Sequence, residues 1–179
     1  MTESNQTVAI DIAGGRGEYF VKEARKRPND NFLILDPWPK IRRPPPNLHI
    51  IRWGSYVNSN IPLAPESVNE ANINCLMESI NDSSGKTAVG DKIIREKYQA
   101  LLRDLKRVLK KGGVLTIVEP RVNIGQIKEF LISENYTVIE EPQPLKDPER
   151  TYWSSAMYEW SNTGGGSLAF PMSIKAKLG

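Results

Sequence analysis

The sequence predicts an α/β fold: one domain with a doubly wound, mostly parallel sheet of seven strands and helices on both faces. Short apolar runs alternate with longer amphipathic segments along the chain, which is typical of this fold class. A glycine-rich turn separates the first apolar run from the first amphipathic segment, as in a βαβ unit. The length of 179 residues suits one domain and leaves little room for two. We therefore interpret residues 1–179 as a single domain.

The first half of the chain contains one predicted helix between short apolar runs. Within Glu18–Arg27, Phe20 and Ala24 lie four residues apart among charged residues, which predicts an amphipathic helix. A helix that joins two buried strands at this spacing makes them parallel, with a right-handed crossover. Three β-branched apolar runs are predicted as strands: Thr7–Ile12, Asn31–Leu35 and Leu48–Trp53.

The second half repeats this alternation. Asp91–Lys110 has apolar residues at offsets of 0, 4, 7, 11 and 14 from Ile94, which predicts a helix that ends before Gly112 and Gly113. A further helix is predicted at Ile124–Glu134. Four more strands are predicted: Asn72–Leu76, Val114–Val118, Tyr136–Ile139 and Ser173–Ala176.

An aromatic segment precedes the last predicted strand. Four aromatic residues fall between Tyr152 and Trp160, and we interpret residues 142–172 as an insertion on the substrate side of the domain. The alternation of side chains there also fits a strand that packs in the core. The other reading is an aromatic wall over a planar or cationic substrate.

Composition excludes several kinds of chemistry. One cysteine, Cys75, leaves no internal disulfide, and one histidine, His49, leaves no His-rich metal site. His49 lies within a predicted strand, which favours a core or edge position over a catalytic one. No apolar run approaches the roughly 18 residues of a membrane span, and the first residues do not resemble a secretion signal. We therefore expect a cytoplasmic protein without a membrane partner or a bound metal.

Positive charge is concentrated in two stretches. The formal net charge is only +3, but residues 20–52 and residues 91–111 each hold eight Lys and Arg against three acids. Stretches of this kind are either solvated helix faces or a surface that binds a polyanion such as RNA. The sequence leaves both readings open.

The end of the first strand is predicted to bind a ligand, because ligands of doubly wound sheets lie at the carboxyl ends of the strands. There the glycines of residues 13–17 allow the backbone to approach a ligand closely. A dinucleotide fold would place a third glycine where Phe20 stands, which disfavours a nicotinamide cofactor. Asp36, 19 residues after Gly17, ends the second strand and can accept hydrogen bonds from both hydroxyls of a ribose. An ordinary Asp-Pro turn is the alternative, but the combination favours an adenosine-type ligand.

The segment DIAGGRG, residues 11–17, resembles the first motif of class I S-adenosylmethionine-dependent methyltransferases, D-x-G-x-G-x-G. Asp36 matches the acid at the end of the family's second strand, Ser67–Asn74 resembles its fourth strand, and Leu102–Pro120 is similar to its helix, glycine turn and fifth strand. The resemblance covers residues 7 to about 140 and implies a Rossmann-like methyltransferase fold. It also implies S-adenosyl-L-methionine as cofactor and methyl transfer to an N, O or S nucleophile of an RNA, a small molecule or a peptide.

The resemblance also implies roles for individual residues. Asp11 and the backbone of the glycine turn would hold the methionyl part of the cofactor, Asp36 the ribose and Ser55 the adenine edge. As catalytic candidates, Asn74 would orient the substrate and Glu78 would act as base; a strand-end amide and an exposed helix-start acid are the alternatives. Cys75 also fits a small core residue. The full implied set of cofactor-binding residues is Asp11, Ala13, Gly14, Gly15, Gly17, Asp36, Pro37, Trp38, Gly54, Ser55, Asn74 and Cys75.

Three departures from the family pattern keep other readings open. Ala13 replaces the first motif glycine, and Asn72, Asn74 and Cys75 stand where many members carry an acid or an Asn-Pro-Pro-aromatic segment. A non-catalytic module that binds adenosyl ligands or a partner protein is therefore the second reading. The segment DPWPK, residues 36–40, resembles one in tRNA guanine-N7 methyltransferases, where it follows the fourth strand rather than the second. The sequence predicts nothing about oligomeric state.

Overall fold

A computed structural model of the chain describes residues 6–12, 17–37, 39–54, 60–74, 88–145 and 171–179, with the backbone alone for residues 88–94, 120–122 and 171. None of the helices in these ranges is long and apolar enough to cross a membrane. The elements in chain order are β1 (Val8–Ile12), α1 (Glu18–Lys26), β2 (Asn31–Leu35), β3 (Leu48–Ile51), β4 (Val68–Asn74), α2 (Ala88–Val108), β5 (Leu109–Pro120), α3 (Arg121–Ser133), β6 (Tyr136–Pro144) and β7 (Pro171–Leu178).

The seven strands form one sheet in the order β3-β2-β1-β4-β5-β7-β6. The strands from β3 to β5 are parallel to their neighbours, and β7 runs antiparallel to both β5 and β6. The chain adds strands outward from β1 to β3 and then returns to place β4 on the other side of β1. This reversal is a topological switch point, and it confirms the predicted doubly wound fold.

One face of the sheet is covered at its β1–β3 end by α1. The helix buries Phe20 and Ala24 against Ala9, Phe32 and Ile34, and the Phe20 and Phe32 rings meet edge to face with centroids 5.3 Å apart. The ring that breaks the dinucleotide glycine pattern is thus part of the core. The aromatic contact fixes the first turn of α1 against β2.

The opposite face is covered by α2 and α3. Tyr98, Leu102 and Leu105 from α2 and Ile127 and Leu131 from α3 are fully or almost fully buried in the larger apolar cluster. Helices thus cover both faces of the sheet, and each face buries apolar strand residues. His49, exposed on the edge strand β3, is an edge histidine, one of the two expected positions.

Several predicted boundaries were wrong, and two of these errors have a clear physical cause. The fourth strand begins at Val68 rather than at residue 72, because Glu70 and Asn72 alternate with buried Ala71 and Ile73 and so hide the apolar run. The long helix ends at Val108, and residues 110–113 form a bulge, since Leu109 already pairs with Val68 while Val114 pairs with Glu70. The strands β6 and β7 reach Pro144 and Pro171, so they extend into both ends of the predicted insertion.

Candidate functional site

The switch point between β1 and β4 holds a buried pair of polar side chains. The amide Nδ2 of Asn74, the last residue of β4, donates a 2.6 Å hydrogen bond to Oδ1 of Asp11 in β1. Asp11 is 1% exposed and Asn74 is 4% exposed. A charge-assisted bond of this length fixes the orientation of the carboxylate at the carboxyl end of the sheet. Both residues belong to the predicted site, and the structure brings them together.

The backbone of Asp36 joins the carboxyl ends of β2 and β3. Its amide donates to the carbonyl of Ile51 at 3.2 Å, and its carbonyl accepts from the amide of Trp53 at 3.3 Å. Asp36 is 7% exposed, and Gly54 is also buried. The acid predicted to bind a ribose therefore lies beside the segment predicted to meet an adenine. Pro37 follows it, half-buried.

Side chains of Trp53 and of α2 bind the backbone of residues 60–63, in the segment between β3 and β4. The indole of buried Trp53 donates to the carbonyl of Asn60 at 2.9 Å. The guanidinium of Arg107 donates to the carbonyls of Ile61 and Leu63, each at 2.7 Å, and to Asp104 at 2.8 Å. The carboxylate of Asp104 also accepts from the amide of Ile61. These bonds anchor residues 60–63 against Trp53 and α2.

Gly17 marks the start of α1, in a conformation that favours glycine. Its φ of 61° is left-handed, and its carbonyl accepts the helical bond from Val21 at 2.8 Å. A Cβ at this position would lie 2.4 Å from Ile41 and 2.5 Å from Ile34. The left-handed conformation favours glycine, and a larger residue would also force the two isoleucine side chains to move. The glycine therefore brings α1 and residues 39–43 together beside the predicted ligand turn.

Several predicted site residues lie outside the described part of the chain. The structure thus describes Asp11, Gly17, Asp36, Pro37, Gly54 and Asn74 of the predicted set, and it places them at the carboxyl end of β1 to β4. The predicted residues outside it are Ala13, Gly14, Gly15, Trp38, Ser55, Cys75 and Glu78, together with the aromatic residues of the segment 152–160.

The sequence reasoning missed one acid near this edge. Glu119 is fully buried near the end of β5, one residue after Val118, which pairs with Asn74. Leu115 and Ile117 belong to the larger apolar cluster, on the face of the sheet that α2 and α3 cover. Because side chains alternate along a strand, Glu119 lies on that same face and not on the face of Asp11. An acid directly after a buried apolar run was the available signal, the same one that identified Asp36.

A cavity of about 340 Å³ lies on the α1 face, beside this site rather than within it. Asn72, which contributes to its wall, pairs in register with Asp11. The charged side chains that line it include two pairs, Arg27 with Glu70 at 3.0 Å and Lys175 with Glu140 at 2.5 Å. Within the described ranges, no group of three or more His, Cys, Asp or Glu side chains is arranged to hold a metal ion.

No family model matches the sequence, and no curated protein matches it. Solved structures match its fold. The 16S rRNA methyltransferase KamB has a TM-score of 0.64 at 14% identity, over 97% of this chain and 88% of that one. The 16S rRNA (adenine(1408)-N(1))-methyltransferase W203A mutant with cosubstrate SAM from Catenulisporales acidiphilia has a TM-score of 0.63 at 14% identity, over 98% and 87%.

A third match is to a protein described as having a different activity. The (4+2)-cyclase SpnF has a TM-score of 0.62 at 12% identity, over 97% of this chain and 74% of that one. Identities this low carry the architecture alone, and the activity must be argued from the site. Strand order, the antiparallel seventh strand and these matches together show that the chain has the Rossmann-like fold of class I methyltransferases.

Proposed function

We propose that the protein is an S-adenosylmethionine-dependent methyltransferase. The observation that carries this proposal is the buried Asp11–Asn74 pair at the switch point, with Asp36 at the end of the adjacent strand β2. A crevice at the carboxyl ends of the strands is where doubly wound sheets bind nucleotide ligands. The fold shared with the methyltransferases above supports the same ligand.

In this proposal each described acid has one task. Asp36 accepts hydrogen bonds from the two ribose hydroxyls, a bidentate contact that an acid can make and a neutral side chain makes less well. Asp11 faces the methionyl part, whose ammonium group is a suitable partner for a buried carboxylate. Asn74 is a positioning residue that keeps the Asp11 carboxylate oriented through its amide.

Methyl transfer from a sulfonium requires little general acid-base catalysis by the protein. The sulfonium carries an activated methyl group, so holding the acceptor atom about 3 Å from it in line supplies much of the rate. A base is needed only when the acceptor must lose a proton, and Glu78 is the residue we propose for that case. A non-catalytic binding module needs the same cofactor contacts without an acceptor.

We propose RNA as the acceptor class. The neighbours KamB and the Catenulisporales acidiphilia enzyme are described as 16S rRNA methyltransferases, and the stretches 20–52 and 91–111 are basic. A small-molecule or peptide acceptor is the second candidate, favoured by the aromatic segment 152–160 and by a neighbour described as an antibiotic-related methyltransferase. The DPWPK segment supports a guanine-N7 acceptor in tRNA only by resemblance.

The test is transfer of a labelled methyl group from S-adenosylmethionine into cell extract that is then separated into RNA, protein and small molecules. We expect label in the RNA fraction. Asn74→Ala should lower the rate at least about tenfold, since it removes a charge-assisted bond worth about 1.5–3 kcal/mol. Gln143→Ala is the control, because its amide also donates to a carboxylate, that of Glu140 at 3.0 Å, but lies on the edge strand β6, away from the proposed site. Label in no fraction, with the cofactor still bound, would identify a non-catalytic module instead.

A further inference from the structure

In the described part of the chain, the cations of the two basic stretches differ in how many contacts they make within the molecule. In residues 91–111, four cations contact other residues of the molecule. Arg103 and Lys106 lie 2.9 and 3.9 Å from Glu134, Arg107 binds Asp104, and Lys110 donates to Asn69 at 3.2 Å. These cations are engaged on the α2 side and in the β5 bulge. This stretch therefore contributes mainly to the fold.

The stretch 20–52 contains a group of cations directed outward. Five of them are exposed and make no ion pair or hydrogen bond with any residue that the structure describes. We name this group the basic rim: Arg25, Lys40, Arg42, Arg43 and Arg52. The sequence between Pro37 and Pro65 contains no Asp or Glu that could neutralise the rim locally.

The rim is continuous because residues 41–47 lie alongside α1. Ile41 contacts the start of the helix at Gly17, and the amide of Asn47 donates to the carbonyls of Ala24 and Arg27 at its end, each at 3.0 Å. The segment thus follows the full length of α1, about 13 Å for nine residues. Arg42 and Arg43 in this segment and Arg25 in α1 are all exposed.

The rim also adjoins the proposed cofactor site. Lys40 lies four residues after Asp36, and Arg52 directly follows β3 and precedes buried Trp53. A polyanion that follows the rim would therefore reach the carboxyl edge of the sheet. Ile41, the large apolar residue between Lys40 and Arg42, packs against the apolar cluster that α1 forms with the sheet. A membrane-binding segment would instead expose apolar side chains between its cations.

We infer that the basic rim binds the phosphate backbone of the acceptor RNA and guides it to the carboxyl edge of the sheet, whereas the stretch 91–111 does not contact it. Arginine binds phosphate through a planar pair of donors, and four of the five rim cations are arginines. Phosphate contacts fix the register of a nucleic acid without reading its sequence. This inference rests on the proposed function, since it takes RNA as the substrate class.

The test compares two triple variants that lose the same charge. Binding of a 20-nucleotide single-stranded RNA of mixed sequence is measured for the full chain over a series of salt concentrations. Loss of three phosphate contacts in R25Q/R42Q/R43Q should weaken binding about 50-fold at 0.15 M salt and lower the log-log salt slope by about 2. The matched control R103Q/K106Q/K110Q should change affinity less than about threefold, because exposed charges beyond a Debye length are screened.

A second variant and a second ligand complete the test. K40Q/R52Q removes the other rim cations and should weaken RNA binding about tenfold, so the inference stays testable if the first triple variant does not fold. Thermal unfolding checks that each variant is folded. Equal losses in the rim variants and in the control would overturn the inference, and so would binding to phosphatidylserine vesicles but not to RNA.

The outcomes also separate this inference from the proposed function. Binding of S-adenosylhomocysteine is measured by calorimetry in the same variants and should be unchanged. RNA binding that depends on the rim, in a protein that binds no adenosyl ligand, supports the rim and contradicts the proposed function. Methyl transfer to RNA that is unaffected by R25Q/R42Q/R43Q supports the function and contradicts the rim.

Discussion

The two edges of the parallel sheet both carry polar side chains, but they use them differently. Toward the amino edge, the guanidinium of Arg27 binds both carboxylate oxygens of Glu70 at 3.0 Å and Asp30 at 2.6 Å. Asp30 also accepts from the amide of Thr7 at 3.0 Å, and Asn47 donates to three carbonyls around the end of α1. These bonds join the end of α1 to β4 and to the chain before β1.

At the carboxyl edge, the described contacts are fewer and more local. One side-chain bond joins Asp11 to Asn74 across neighbouring strands, and Asp36 is held there through its backbone. Among the described residues, the amino edge thus connects α1 with β4 and with the chain before β1, while the carboxyl edge holds the two buried acids Asp11 and Asp36. We expect substitutions at the first edge to change the free energy of unfolding and those at the second to change ligand binding.

The largest expected effect on stability is that of Arg27→Ala. The variant loses its bonds to Glu70 and Asp30 and its contact with the Phe32 ring, 5.1 Å from the ring centroid. The hydrogen bonds that Arg27 donates to Glu70 raise the pKa of its guanidinium; burial lowers that pKa by less, and the bond to Asp30 raises it further, so the group stays charged. We expect a loss of about 2–3 kcal/mol in the free energy of unfolding measured with urea.

Lys26→Ala is the control for this substitution. Its ion pair with Glu23 is solvent-exposed, with 69% of the lysine side chain accessible, so the cost should be at most about 0.5 kcal/mol. Both variants should bind S-adenosylhomocysteine as the wild type does. The comparison between the two edges fails if Arg27→Ala costs no more than the control or abolishes ligand binding.

A smaller effect is expected in the pH dependence of stability. Burial would raise the pKa of the Asp30 carboxyl, but the hydrogen bond from Thr7 and those from Arg27 outweigh it and hold the pKa below its ordinary 3.8. A lowered native pKa stabilises the fold above the unfolded value of about 3.9, and this stability is lost as the pH falls through the native pKa. Urea unfolding of Asp30→Asn should therefore vary less between pH 4 and pH 2 than that of the wild type. An unchanged pH profile would contradict this role.

The sequence predicts most of the fold because seven strands and three helices have clear apolar patterns. It misplaces the start of β4, because Glu70 and Asn72 alternate with the buried apolar residues of that strand. It also misplaces the end of α2, because residues 110–113 form a bulge in β5. The Arg27–Glu70 bond could not be predicted, since it joins residues 43 positions apart. Asp36 was predictable from its position after an apolar run, whereas Asp11 and the amide of Asn74 that orients it were identified only by resemblance.

The most direct test of the account is calorimetric binding of S-adenosylhomocysteine to the wild type, Asp36→Ala and Asp30→Ala. The two variants remove one partly or fully buried carboxylate each, at opposite edges of the sheet. We predict that Asp36→Ala binds about 10- to 100-fold more weakly, the equivalent of a charge-assisted contact, while Asp30→Ala binds as the wild type does. A wild type that does not bind, or an Asp36→Ala variant with undiminished affinity, would contradict the account.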